Sequence, residues 1–254
     1  MKKVFFFIFI FFNLFYTFAQ DIDIGEVEIL SVRKKEWDVF ASIHTNGLGM
    51  GVHVGKQKSI HYKSGFEIEL SYYKHLKEQR AKTTYSIENY NNKSFIYGKL
   101  NHFLPLYIGY GFTRIINQKP YWGGINTGYF LYGGASVGFS VPIYLDIIRI
   151  IDNSRYELKT ERYDPNLHSL SNIYSGTSFF KGISKTKIHP GLYIKTGFSF
   201  DFSAEDAKIM ALDFGVIVDS YFPPVNTMAF TKDKYFFIKG FIAFHLGRKL
   251  TNYE

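Results

Sequence analysis

Glu67 and Glu69 stand two residues apart, which in an extended chain puts both carboxylates on one face. A carboxylate pair so placed is what general acid–base attack on a glycoside or acyl group requires. A plainer role competes with it. Buried carboxylates must be neutralised, and Lys99, Lys195, Lys239 and Arg114 could do so inside a closed structure. We take the second reading and group Glu67, Glu69, Lys99, Lys195, Asp213, Asp219 and Lys239 as a charge network of an interior lumen. A lipid hydrolase would instead bring Ser, His and an acid together at the lipid boundary. His44, His53, His102 and His245 lie on strand-like segments with Ser42 and Ser71 available, yet no spacing singles out a triad. Asp164 and His168 are two potential metal ligands, too few to define a site. With no cysteine there is no thiolate centre, disulfide framework or lipid anchor on a Cys. No glycine-rich phosphate loop is present. No catalytic residue, cofactor or metal is therefore expected.

The elements that would position these groups are strands. From Phe236 to Leu246, Phe236, Ile238, Gly240, Ile242, Phe244 and Leu246 alternate with Phe237, Lys239, Phe241, Ala243 and His245. A strand with one face in lipid has this pattern. Leu212–Asp219, Gly191–Phe202, Gly128–Val141, Leu104–Thr113, Phe66–Tyr73, Leu48–Gly55 and Trp37–His44 repeat it, and residues 94–103 do so less clearly. Ile143–Ile150 makes a tenth strand if Pro142 sits in a turn. Such lengths suit a tilted membrane strand better than a soluble sheet. The connections alternate in length. Asn46-Gly47 is a tight hairpin, Leu104-Pro105 and residues 203–208 are short, and residues 77–92, 118–125, 152–187 and 222–234 are longer. Trp37, Tyr72, Tyr73, Phe103, Tyr129, Tyr221, Phe222 and Tyr235, near strand ends, suit an interfacial aromatic girdle.

The first residues read as an export signal. Lys2 and Lys3 precede an apolar run from Val4 to Phe18, and Thr17-Phe18-Ala19 offers a cleavage site after Ala19. We divide the chain into a signal peptide at 1–19, a periplasmic segment at 20–35, a barrel at 36–248 and a tail at 249–254. The expected fold is all-β, a closed antiparallel up-and-down transmembrane barrel of about ten strands, with eight as the alternative. A soluble exported β-protein is the competing class, and would need the phenylalanine-rich faces to meet in a core.

The leader, the alternation and the Phe/Gly-rich last strand resemble the small outer-membrane β-barrel proteins of Gram-negative bacteria that have no assigned activity. The stretches that carry the resemblance are Ile43-His44-Thr45-Asn46-Gly47, Tyr97-Gly98-Lys99-Leu100-Asn101, Arg162-Tyr163-Asp164-Pro165 with His168 and Asn172-Ile173-Tyr174, and Phe180-Lys181-Gly182. One departure is the run Lys249–Glu254 beyond the last strand, with Tyr253 penultimate, where many such barrels end on an aromatic residue.

These features point to an exported, non-enzymatic barrel of the outer membrane that scaffolds or binds through long external loops. Tyr163, Tyr174, Phe179 and Phe180 are its candidate contact residues, either for a protein or glycan partner or as a lid over the barrel mouth. Outer-membrane lipid is the other expected partner. A porin-like narrow channel for small solutes is one alternative, and a lipid-modifying barrel enzyme is another. The formal charge of +8 is scattered and forms no stripe, so nucleic acid is not an expected partner.

Overall fold

The computed structural model describes residues 35–83, 92–117, 124–152, 155–205 and 207–250. The expected signal peptide, all of the segment expected to follow it but Lys35, and the last four residues of the tail lie outside them. Eight antiparallel strands close a ring: β1 (Lys35–His44), β2 (Gly47–Ser59), β3 (Tyr62–Tyr73), β6 (Asn101–Asn117), β7 (Asn126–Pro142), β11 (Lys187–Asp201), β12 (Lys208–Val225) and β13 (Lys234–Leu250). β1 closes the ring on β13, with Val39 opposite Leu246 and, on its other side, opposite Val52 of β2.

Side-chain alternation fixes which face is which. Along β1 every second residue is buried, from Glu36 to His44, and the others are exposed. Phe236, Ile238, Ile242 and Leu246 of β13 point outward, as do Leu48, Met50, Val52 and Val54 of β2 and Phe66, Ile68 and Leu70 of β3. The charged residues Glu67, Glu69, Lys195, Asp219 and Lys239 are inside. This polarity is the inverse of a water-soluble barrel, and only an apolar surrounding makes it favourable.

The ring holds eight strands because two of the ten expected segments are used otherwise. Residues 104–113 do not start a new strand after Pro105; β6 runs straight through it. Proline has no N–H to give, and the pairing of β6 with β3 skips from Leu70–Leu106 to Tyr73–Phe103 across it. Residues 143–150 leave the ring at Pro142. They belong to β8 (Tyr144–Asp152), which pairs with β9 (Arg155–Arg162) and β10 (Ile173–Gly176) in a separate sheet.

The two ends of the barrel differ. At the end where β1 begins and β13 finishes, the connections are residues 60–61, 118–125 and 202–207. At the other end lies the tight turn Thr45–Asn46, where Gly47 is required: its φ is 154°, and a Cβ there would run into the Tyr72 carbonyl. That end also carries the long connections. Residues 74–100 include β4 (Arg80–Ala81) and β5 (Phe95–Ile96), and residues 143–186 include β8, β9, β10 and a 3-10 turn at Phe179–Lys185. Phe95, Leu145, Ile147, Tyr163 and Ile173 form the apolar core of this head.

Candidate functional site

The lumen is the first place to look, because the alternation sends most ionisable residues of the ring strands there. Nearest the chain ends, Lys63 donates to Glu36 at 2.8 Å. Asp38 lies between two histidines, 2.8 Å from His53 Nδ1 and 2.7 Å from His245 Nδ1, and His245 also approaches Asp213 at 3.3 Å. One level on, Lys195 reaches across from β11 to β3 and donates to Glu67 at 2.7 Å and Glu69 at 3.0 Å. Its ammonium also stands 4.7 Å from the Phe40 ring centre and 4.8 Å from that of Phe241, so the rings share in holding the charge. Beyond it Lys239 binds Asp219 at 3.3 Å and the Tyr107 hydroxyl, which itself donates to Asp219 at 3.0 Å.

Six of the seven residues grouped as a lumen network thus lie in the lumen. Lys99 does not. It belongs to the connection before β6 and pairs with Glu78 and the Tyr72 hydroxyl, each at 2.8 Å, and with neither Glu67 nor Glu69. The reason is that residues 94–100 are not a wall strand, so their alternation does not point into the barrel.

Aromatic packing closes the lumen towards the end with the long connections. Tyr73, Phe103, Tyr221 and Phe237 pack with Val225 in one buried cluster. Phe237 is 5.1 Å from Tyr73 and 5.5 Å from Phe103 between ring centres. Tyr73, Phe103 and Tyr221, which nearness to a strand end suggests for an interfacial girdle, turn inward instead; their odd-numbered positions set this parity. Trp37, Phe222 and Tyr235 are exposed at the outer surface. A strap then crosses above the plug. Residues 226–229, from the β12–β13 connection, are tied to residues 98–101 before and within β6. Leu100 N–H donates to Thr227 O at 3.0 Å, Ala229 N–H to Gly98 O at 2.7 Å, and the Asn101 amide to Asn226 O at 2.7 Å. No sequence signal marks this strap.

Beside Glu67, Asp38, His53 and His245 the lumen holds a cavity of about 70 Å³. It has room for a few waters, far short of the several hundred Å³ of a substrate pocket. The carboxylate pair is spanned by Lys195, which suits neutralisation better than glycoside chemistry. Ser42, His44, Glu69 and Ser71 do converge, but not as a relay. His44 Nε2 faces Glu69 at 2.8 Å, Ser42 at 3.0 Å and Ser71 at 3.2 Å, while both serines also lie within hydrogen-bond reach of Glu69. A triad needs nucleophile and acid on opposite ring nitrogens. Here both use one, and the buried Nδ1 has no partner among the described residues.

The head places the four loop aromatics differently from one another. Tyr163 and Tyr174 are 3% and 1% exposed, so they are core residues of the head and no contact surface. Burial raises the Tyr163 hydroxyl pKa above its ordinary value. Phe180 is 76% exposed on the 3-10 turn, with Ile183 also exposed and Phe179 half-buried against His102. The difference follows from pairing: Tyr174 lies in β10 and Tyr163 follows β9 directly, so both are folded into a sheet that the loop composition does not announce. Asp164 and His168 are joined locally, His168 Nδ1 accepting the Asp164 N–H at 3.0 Å, and no group of three metal-ligating side chains occurs among the described residues. On the same sheet Arg149 binds Glu161 at 2.6 Å, and this hydrogen bond holds the Glu161 carboxyl below its usual range.

Fold and polarity together define a transmembrane β-barrel whose lumen is filled with side chains. No protein-family model matches the chain, and no curated protein does. Among solved structures, Neisserial surface protein A is similar over 85% of this chain and 96% of its own, with 9% identity and a TM-score of 0.37. Ail, the attachment invasion locus protein of Yersinia pestis, is similar over 87% and 99%, with 8% identity and a TM-score of 0.35. At this level of similarity the barrel assignment rests on the strand register and polarity described above.

Proposed function

We propose that this protein is a non-enzymatic barrel of the bacterial outer membrane that presents its head as an external binding surface. One observation carries the reading: among the described residues, the lumen carries layers of paired charges and an aromatic plug, under a strap. A lumen so filled leaves little room for a path, which supports placing the working surface in what projects from the barrel. Phe180 and Ile183, with Leu167 and Leu170, are apolar residues exposed on that head. Exposed apolar groups of this kind favour a protein or glycan partner. The leader-like sequence at residues 1–19 supports export, and the long connections at one end support placing that end outside. The test is conductance of the purified barrel in planar bilayers, with permeation of small solutes in liposomes. Currents at background and sealed liposomes are expected. Discrete openings would overturn this reading in favour of the narrow channel.

A further inference from the structure

The wall of the barrel has a notch. β1 and β2 turn at Thr45 and Asn46, but β13 continues past them: it pairs with β1 only from Phe241 on, and Lys234–Lys239 pair on the β12 side alone. Gly240 is the last residue served on the open side, its N–H donating to Thr45 Oγ1 at 3.1 Å and its carbonyl accepting from Thr45 N–H at 2.9 Å. Backbone groups alternate sides along a strand, so Ile238 and Phe236 aim theirs into the same gap. No backbone partner meets them there among the described residues. Yet these two side chains are 71% and 70% exposed and apolar, continuous with the outer band of Ile242, Phe244 and Leu246. An open strand edge is not tolerated against bare hydrocarbon.

The surroundings of the notch are polarised. Above it, a cleft of about 490 Å³ opens between residues 75–77 and 230–234. Lys77, Lys232 and Lys234 line it against one acid, Asp233, and none of the three lysines has an ion pair among the described residues. The neighbouring Glu78 is already taken by Lys99. His75 also lines the cleft, and burial and then Lys234 lower its pKa. Because its Nδ1 accepts from Lys77 N–H at 3.2 Å, Nε2 carries the proton and is a donor. Leu76 and Phe230 form exposed apolar lips, Phe230 being held at a φ of 61°. Below the notch, an apolar groove of about 750 Å³ runs over the outer wall where Gly240 has no side chain, between Ile43, Phe198, Phe214, Val216 and Ile242.

We propose that the notch seats a phosphate-bearing lipid of the outer leaflet. Its phosphate sits among Lys77, Lys232 and Lys234, its polar linkage meets the free backbone of Phe236 and Ile238, and one acyl chain lies in the groove over Gly240. Gly240 and Lys234 are six residues apart along β13, about 20 Å at strand rise, a span one acyl chain covers. The proposal rests on the reading above for which end is external, and it uses a surface separate from the Phe180 region.

The experiment is native mass spectrometry of the folded full chain in detergent, titrated with phosphatidic acid, phosphatidylcholine of the same chains, and inorganic phosphate. A lysine near a membrane anion is worth about a fivefold change in binding, so the K77Q/K232Q/K234Q variant should lose roughly a hundredfold in phosphatidic acid affinity and fall to the phosphatidylcholine level. Gly240→Leu should weaken both lipids. Equal binding of the two lipids by the unaltered protein, or phosphatidic acid affinity unchanged in the lysine variant, would overturn the proposal. So would inorganic phosphate binding as tightly as phosphatidic acid, or a lipid-free dimer that excludes both lipids. Boiled and unboiled gels of each sample report whether the barrel is folded. Equal binding of the two lipids by the unaltered protein with an intact heat shift condemns the lipid seat alone; channel currents in bilayers condemn the binding-surface reading.

Discussion

Lys195 is the group on which the lumen depends most directly. Replacing it by methionine keeps most of the volume and removes the only cation that bridges β11 to β3 among the described residues, leaving Glu67 without its partner and Glu69 with His44 and two hydroxyls. All three side chains of the triad are essentially fully buried, so solvent screening offers little relief. Breaking a buried ion pair by removing one partner costs about 3–5 kcal/mol. At a urea slope of about 2 kcal/mol per molar, that moves the unfolding midpoint down by roughly 2 M. The assay is urea unfolding of the barrel in lipid vesicles, followed by tryptophan fluorescence and by the heat-dependent gel shift. The companion variant K195M/E67Q removes the orphaned charge together with its partner. It should recover about half of the loss, because Glu69 keeps its own donors; the coupling between the two positions is about 2 kcal/mol. A Lys195→Met midpoint within about 0.3 M of the unaltered protein would refute the argument, since the lumen would then be tolerating Glu67 as an uncompensated buried carboxylate.

Phe237→Ala opens the aromatic plug and should cost about 3–5 kcal/mol in the same unfolding assay, with conductance staying at background because the strap at residues 226–229 remains. Gly134→Val should prevent normal folding, read as loss of the heat shift, because a Cβ there meets the Ile108 carbonyl and Gly109 Cα of the adjacent strand. Tyr163→Ala should loosen the head and leave the barrel intact: hydrogen exchange rises across β8–β10 while the urea midpoint of the barrel holds. Glu161 gives the head a pH dependence. Its carboxyl is held below the ordinary value by Arg149, so the unfolded segment takes up a proton before the folded one does. The protection this pair gives β8–β9 is therefore full above the ordinary carboxylate range and lost as pH falls through the lowered value; Arg149→Gln should abolish that dependence in hydrogen exchange.

Much of the candidate site was legible because parity is a local property. Once Phe236–Leu246 alternates, Lys239, Phe241 and His245 must share a face, and the same counting places Glu67, Glu69, Lys195, Asp213 and Asp219. Parity failed where the chain was not a wall strand. Lys99 falls on the lumen side only by an alternation that residues 94–100 do not express, and Tyr163 and Tyr174 carry loop-like sequence although they are packed in the head's own sheet. Proximity to a strand end likewise could not tell an outward tyrosine from Tyr73 or Tyr221; only the residue's parity within its strand does.

By itself the sequence determined the class: an alternating, apolar-out chain with a leader-like start, whose interior residues can be named by counting in twos. The tertiary structure alone decided how many strands close the ring, that Lys195 meets Glu67 and Glu69 across the lumen, and that residues 226–229 reach residues 98–101 over its mouth. The physical reason is that side-chain direction in a strand is set by the residue's own backbone, while a partner across a barrel is set by closure, through the strand number and stagger of the whole ring.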